Sequence, residues 1–229
     1  MNKTILKYFS IGEAALWFLS VLTIVLSFIM FKSSNYLALI ASIIGASSLI
    51  FCSKGNPIGQ GLMIIFSVLY GIISYSFSYY GEMLTYLGMT APMCVFALVS
   101  WLKNPYGENR SEVRVNSIKK SERIFAVALT AAVTIIFYFI LGYFNTANLI
   151  PSTLSVATSF LAVYLTFRRS PWFALVYAMN DFVLIILWLL ASYEDGSYMS
   201  VAVCFMVFLI NDLFCFVSWL KMKKRQAKH

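Results

Sequence analysis

Asp181 and Asp212 each directly follow an asparagine, Asn180 and Asn211, inside long apolar stretches toward the C-terminal end of a 229-residue chain. A carboxylate at mid-bilayer costs about 2.5–3.5 kcal/mol on insertion scales, so such groups face polar cavities, pair with one another, or handle an ion or proton. No lysine or arginine falls inside these apolar stretches to neutralise them. Each acid is therefore protonated in place, or hydrogen-bonded in an Asn-Asp knot that fixes helix packing, or open to a cation. Helical spacing puts Tyr177, Asp181 and Trp188 on one face, and Phe205, Phe208, Asp212, Phe216 and Trp219 on another. Carboxylate plus aromatic faces suit a flat cationic ring, since cation–π attraction reaches about 2 kcal/mol when desolvated.

Other polar residues fall at the same spacings. Gln60, Ser67, Gly71, Ser74 and Ser78 share a face beside Tyr70, and Ser152, Ser155, Ser159, Ala162 and Thr166 share another. Small and hydroxylated residues also let membrane helices approach closely, so packing is the competing reading for both faces. Pro92, preceded by Gly88, Met89 and Thr90, predicts a kinked helix, because proline removes a backbone hydrogen bond that neighbours must replace. Glu82 is expected at the outer interface, where water solvates it.

Several chemistries have nothing to work with. The one histidine is His229, at the end of a basic tail, and Cys52, Cys94, Cys204 and Cys215 show no ligand spacing. We expect no metal, no cofactor and no covalent catalysis. The net charge of +8 resembles a nucleic-acid signal, but the cations alternate with apolar blocks along the chain, so we expect no nucleic-acid partner.

With 61% hydrophobic, 17% aromatic and 11% charged residues, the chain lies far outside the soluble range, where about 25% of residues are charged. A span needs about 20 apolar residues, and eight fit: 12–31, 35–52, 58–79, 82–102, 124–144, 149–167, 171–192 and 198–220. Lys3 and Lys7, Lys54, the run Lys103 to Arg123 including Arg110, Arg168 with Arg169, and the tail from Lys221 fall on alternate loops. The positive-inside rule then places both termini in the cytoplasm. The first block resembles a signal peptide but has no small-residue cleavage site, so it is expected to stay as a helix.

Phe96-Ala-Leu-Val-Ser-Trp-Leu-Lys103 at the end of span four recurs as Phe214-Cys-Phe-Val-Ser-Trp-Leu-Lys221 at the end of span eight. Upstream of each copy, a basic residue and a proline open a span: Lys54 with Pro57, and Arg168-Arg169 with Pro171. The pattern divides the chain into an extra N-terminal helix (1–34), a three-helix unit (35–103), a polar loop and linker helix (104–148), and a second three-helix unit with a basic tail (149–229). By loop charge both units run the same way, as in parallel-repeat transporters with a site between halves.

Lys54-Gly-Asn-Pro-Ile-Gly-Gln60 leading to Leu69-Tyr70-Gly71, Tyr80-Gly-Glu82, Arg168-Arg169 with Trp172 and Asn180, and the closing Trp101 and Trp219 resemble the Pnu-type bacterial vitamin transporters. The likeness is greatest to their nicotinamide riboside branch and covers nearly everything from Asn35 onward. It implies an all-α membrane protein of eight transmembrane helices, a SWEET-like 3+1+3 parallel repeat with one extra N-terminal helix. It also implies facilitated diffusion of an unphosphorylated vitamin precursor across a bacterial cytoplasmic membrane, with trapping by a cytoplasmic kinase. That branch opens span seven with Trp-x-x-Trp, whereas Trp172 here is followed by Phe173, Ala174 and Leu175. Sister branches carry thiamine, riboflavin or deoxynucleosides.

The expected site combines Gln60, Ser67, Tyr70, Met89, Thr90, Trp172, Tyr177, Asn180, Asp181, Trp188, Asn211 and Asp212. Gln60 and Asn180 would bond polar substituents, Tyr70, Tyr177 and Trp188 would flank a ring, and Asp181 would offset positive charge. Proton-coupled transport and a non-transporting scaffold stay open as alternatives, as does assembly into a homo-oligomer.

Overall fold

Unbroken apolar runs leave the backbone only internal hydrogen-bond partners in a bilayer, and helices satisfy that condition. The computed structural model describes residues 8–33, 35–76, 79–107, 111–146 and 148–228. Lys3, Lys7, Ser78, Arg110 and His229 lie outside the described residues. The expected eight spans are eight helices: α1 (Ile11–Met30), α2 (Tyr36–Ser53), α3 (Pro57–Ser76), α4 (Tyr80–Lys103), α5 (Lys120–Tyr143), α6 (Leu149–Phe167), α7 (Trp172–Ser192) and α8 (Met199–Gln226). α1 starts on a capping box in which the Ser10 and Glu13 side chains each accept the other's backbone N–H, satisfying two orphan donors of the first turn.

α3 packs against α2 and α4, and α7 against α6 and α8. The two groups meet through α2 on α8 and through α4 on α6, the first helix of each touching the last of the other. α1 lies against α2 and α8, and α5 against α6. These two bury the smallest share of their spans and turn most of their apolar surface outward.

α2 and α6 end alike. Gly55 and Arg169 both adopt left-handed backbone, with φ of 65° and 55°. Their N–H groups donate to Cys52 and Thr166 oxygens at 2.9 Å, and those of Asn56 and Ser170 donate to Phe51 and Leu165 oxygens at 3.0 Å. Glycine adopts this conformation freely, whereas a side chain costs about 1–2 kcal/mol; the Arg169 carbonyl is fastened by the Asn116 N–H at 2.9 Å.

The segment after α4 is not a free linker. It forms a small hairpin, β1 (Pro105–Tyr106) with β2 (Glu112–Val113). The Val113 N–H donates to the Gly55 oxygen at 2.9 Å, Gln226 Nε2 donates to Glu112 Oε1 at 2.8 Å, and Arg225 pairs with Glu112. Asn116 Nδ2 donates to the Arg168 oxygen at 3.1 Å. The strap thereby ties the α2–α3 turn, the α6–α7 turn and the end of α8 across one end of the bundle, called the basic end below.

The kink expected at Pro92 takes another form. Without a proline N–H, the Gly88 carbonyl has no α-helical donor, and the chain widens into a π-helix over Leu84–Thr90, where the Ala91 N–H reaches the Tyr86 oxygen. Such widenings recur at functional sites. At Gly59 the α2–α3 crossing is very close: an added Cβ would stand 2.7 Å from the Cys52 nitrogen and 3.0 Å from the Ser48 oxygen. Backbone cannot swing aside as a side chain does, so Gly59→Ala is expected to destabilise by about 1–3 kcal/mol. In a thermal melt that is a midpoint lowered by roughly 5 °C, and an unchanged midpoint would mean that the two helices separate there at no cost.

Candidate functional site

All six helices of the two groups, and neither α1 nor α5, line a cavity of about 30 Å³ in the middle of the bundle. α2 contributes Leu49, α3 Met63 and Phe66, and α4 Tyr86 and Thr90. α6 adds Ser159, α7 Tyr177, Asn180 and Asp181, and α8 Phe205, Phe208 and Asp212. The π-helix matters here, since Tyr86 and Thr90 both belong to it.

The two carboxyl groups face each other across the α7–α8 interface closely enough to interact. Asp181 is 4% and Asp212 2% exposed. Asp181 Oδ2, Asp212 Oδ1 and Thr90 Oγ1 have no hydrogen-bond partner among the described residues. Buried polar atoms are paired in the great majority of cases, so an unpaired group around one void marks a place for a ligand or water. Among the described residues, no lysine, arginine or histidine lines the cavity. Asn180 is held from α6, its Oδ1 accepting from Thr158 Oγ1 at 2.8 Å and from Ser159 Oγ at 3.0 Å.

Aromatic layers close the cavity at both ends. Away from the basic end, Tyr70 lies 4.5 Å from Tyr86, and Trp188 Nε1 donates to the Tyr70 hydroxyl at 2.6 Å, joining α3 to α7. Phe66, Phe205 and Phe208 pack edge-on in the same layer. Toward the basic end, Trp101 and Trp219 touch with ring centroids 5.3 Å apart. Trp101 Nε1 donates to the Thr166 oxygen at 2.9 Å, and Trp219 Nε1 to the Cys52 oxygen at 2.8 Å. Each indole therefore reaches from the last helix of one group to the first helix of the other. The lumen has room for a water or two, with an aromatic layer on either side of it.

Of the residues expected at the site, Thr90, Tyr177, Asn180, Asp181 and Asp212 come together on the cavity wall. Tyr70 and Trp188 form the layer above it. Gln60 sits below, its Nε2 donating to Cys52 Sγ at 3.3 Å while its Oε1 has no partner. Ser67 is buried against Cys94 rather than on the wall. Met89 packs with Leu141, Val156 and Phe160, away from the cavity. Trp172 is half exposed and lies tilted against Phe216 on the periphery, ring centroids 5.4 Å apart. Asn211 turns to α1, donating to Ser20 Oγ at 2.8 Å, so the expected Asn-Asp knot divides: Asn211 ties helices and Asp212 faces the void. Glu82, expected in water, is instead 1% exposed, beside Ser155 with both oxygens lacking a geometric partner. The first turn of α4 lies against Thr146 at Gly81, and the π-helix that follows packs on α6.

Leu49, Met63, Phe66, Tyr86, Ser159, Phe205 and Phe208 also line the cavity and are not among the residues expected there. Phe205, Phe208 and Ser159 had the right helical phase in the sequence. Leu49, Met63 and Phe66 are apolar residues in apolar helices and carry no signal of their own.

Comparison with known proteins gives a consistent family. The family model described as "Nicotinamide mononucleotide transporter" matches residues 35–221. A curated relative from Neisseria mucosa, "Nicotinamide riboside transporter PnuC", is 26% identical over 218 residues, covering 93% of this chain and 82% of its own length. A solved structure, "Crystal structure of the Vitamin B3 transporter PnuC", matches with a TM-score of 0.83 at 22% identity, over 95% of this chain and 94% of that one. That likeness shows the same fold.

Proposed function

Because the chain belongs to the nicotinamide mononucleotide transporter family, whose model spans residues 35–221, we propose that it carries nicotinamide riboside across the membrane, chemically unaltered. The observation that carries this reading is the charge of the cavity: two carboxyl groups and, among the described residues, no cationic side chain. A pyridinium ring is positively charged, and Asp181 and Asp212 offset it while Tyr86, Tyr177 and Phe208 offer ring faces. The phosphate of a mononucleotide would meet carboxyl groups with no donor cation, an arrangement that repels it. Substrate choice therefore falls on the riboside, as in the name of the Neisseria relative.

The aromatic layers act as alternating gates, and transport requires one to open while the other stays shut. The crossed Trp101 and Trp219 bonds, the matched ends of α2 and α6, and the reciprocal contacts of first and last helices support reading residues 35–103 and 149–229 as parallel repeats around the site. Loop charge supports placing the basic end in the cytoplasm of a bacterial cell, where phosphorylation by a kinase would trap the riboside.

Riboflavin and deoxynucleosides lack the positive charge and fit the pair less well. Thiamine carries one, and is the competing substrate that charge alone does not exclude. A thermal-shift series on the purified protein tests the reading, because a ligand that binds only the folded state raises its apparent stability. Nicotinamide riboside is expected to raise the midpoint, with nicotinamide mononucleotide, riboflavin and deoxynucleosides giving no shift. A larger shift with the mononucleotide, or with thiamine alone, would reject nicotinamide riboside as the substrate.

A further inference from the structure

We propose that Asp181 and Asp212 form a proton-exchange site, in which one proton leaves the carboxyl pair as one monovalent organic cation enters, and returns when that cation departs. The inference rests on the cationic substrate proposed above and goes beyond it, because it makes the protein's cycle carry protons.

Its basis is the balance of charge in a sealed space. Two carboxyl groups that interact directly cannot both be ionised without a cation between them. A lone uncompensated charge in a dry interior is also expensive, by several kcal/mol. Among the described residues, the side chains facing the pair from each neighbouring helix supply no positive charge. α2 presents Cys52, α4 presents Tyr86, α7 presents Tyr177, and α8 presents Cys204 and Cys215. α3 contributes Met63 and Phe66, and α6 the Ser159 hydroxyl. Glu82, the remaining buried acid on α4, stands behind Tyr86 and adds only negative charge. Thiols, phenols and hydroxyls are never cationic, so the empty closed cavity is neutral only with a proton on each aspartate. With a monovalent cation inside, neutrality calls for one proton fewer. The reaction is cation plus the diprotonated pair giving the cation bound to a singly protonated pair, with the released proton going to water at whichever entrance is open.

Two consequences follow from this balance. Affinity for the cation strengthens about tenfold per pH unit wherever the empty pair is fully protonated and the occupied pair is not, the same linkage by which cation binding expels ligand protons elsewhere. Because the empty site crosses back in its protonated form, each cation carried inward is exchanged for a proton carried outward. An alkaline exterior then speeds uptake. A symporter would show the opposite sign, and a carrier without exchange would show no response.

Isothermal titration of the purified protein with nicotinamide riboside, in phosphate and in Tris at one pH, tests the idea, since the difference in apparent heat counts protons released to buffer. About one proton released per ligand is expected. The reduced dihydronicotinamide riboside, which is uncharged and nearly the same shape, is expected to release none. Riboside binding with no buffer dependence and no pH slope would overturn the exchange while leaving the transported substrate intact. Failure of the riboside to bind at all would overturn the functional reading itself. The double variant Asp181→Asn, Asp212→Asn, titrated at raised ligand concentration, is expected to bind without proton release. Should it fail to fold, the wild-type comparison of charged and uncharged ligands still decides the matter.

Discussion

Replacing both cavity aspartates, Asp181→Asn with Asp212→Asn, is expected to raise the Kd for nicotinamide riboside by ~100-fold or more. The dihydro form, lacking the charge, should lose only a few-fold. A contact to a charged group contributes roughly 1.5–3 kcal/mol, and every 1.4 kcal/mol is about tenfold in affinity; two such contacts weakened together give about 3 kcal/mol. The substitutions are isosteric, so the loss reports charge rather than shape. Each single variant should lose less, ~10-fold, because the remaining carboxyl faces the same void and can still compensate a cation. Stability should move the other way or not at all, since neither aspartate has a cationic partner among the described residues and an amide removes the cost of burying an ionisable group. Titration calorimetry on the three variants checks the set. Equal affinity for the charged and uncharged ligands in wild type and double variant alike would remove the pair from the binding site.

How far the sequence revealed this site depended on whether a residue's type set it apart from its helix. Asp181 and Asp212 stand out because a carboxylate is costly among apolar neighbours; Tyr177 lies close to Asp181 in helical phase, and Asn180 about 100° round from it. Asn211 carried the same signal as Asn180 yet faces α1, because α8 is covered on two sides: α7 and α2 take one flank, and α1 the other. A helix wheel gives an angle but not which neighbour occupies it. Trp172 was included through a family motif that its own neighbours do not complete, and the ring lies on the periphery. Glu82 is buried against the sequence expectation for a related reason. Position near a span's end predicts water, but Ser155 of α6 lies beside Glu82 and Thr146 of the α5–α6 turn lies against the adjacent Gly81. The eight spans were plain because length and hydropathy are local properties, as the bilayer requires. The π-helix was not, since Pro92 announces only that a hydrogen bond is missing and not how the chain upstream makes it good.

Exchanging Trp101→Phe together with Trp219→Phe is expected to open the basic end, increasing alkylation of Cys52 and Cys215 by a water-soluble maleimide ~30-fold. Both thiols belong to the same buried cluster as the two tryptophans, Cys215 at 0% and Cys52 at 2% exposure, and they meet water only when that layer parts. Phenylalanine retains most of the packing and removes the indole N–H. Each crossed bond contributes about 1 kcal/mol net, so losing both shifts the closed-to-open balance by about 2 kcal/mol, or ~30-fold. Either single variant removes one bond and should give roughly 5-fold. The far layer offers the control, because Tyr70→Phe removes the hydroxyl that accepts from Trp188 Nε1 while the basic end keeps its contacts; thiol labelling from that end should be unchanged. If the two layers alternate, opening the basic end permanently also lowers exchange across the bilayer, so the double tryptophan variant should bind riboside yet transport it more slowly in proteoliposomes. Labelling at the wild-type rate in the double variant would mean that the crossed bonds do not hold the entrance shut, and that the strap over the basic end, fastened at Gly55, Asn116 and Gln226, closes it instead.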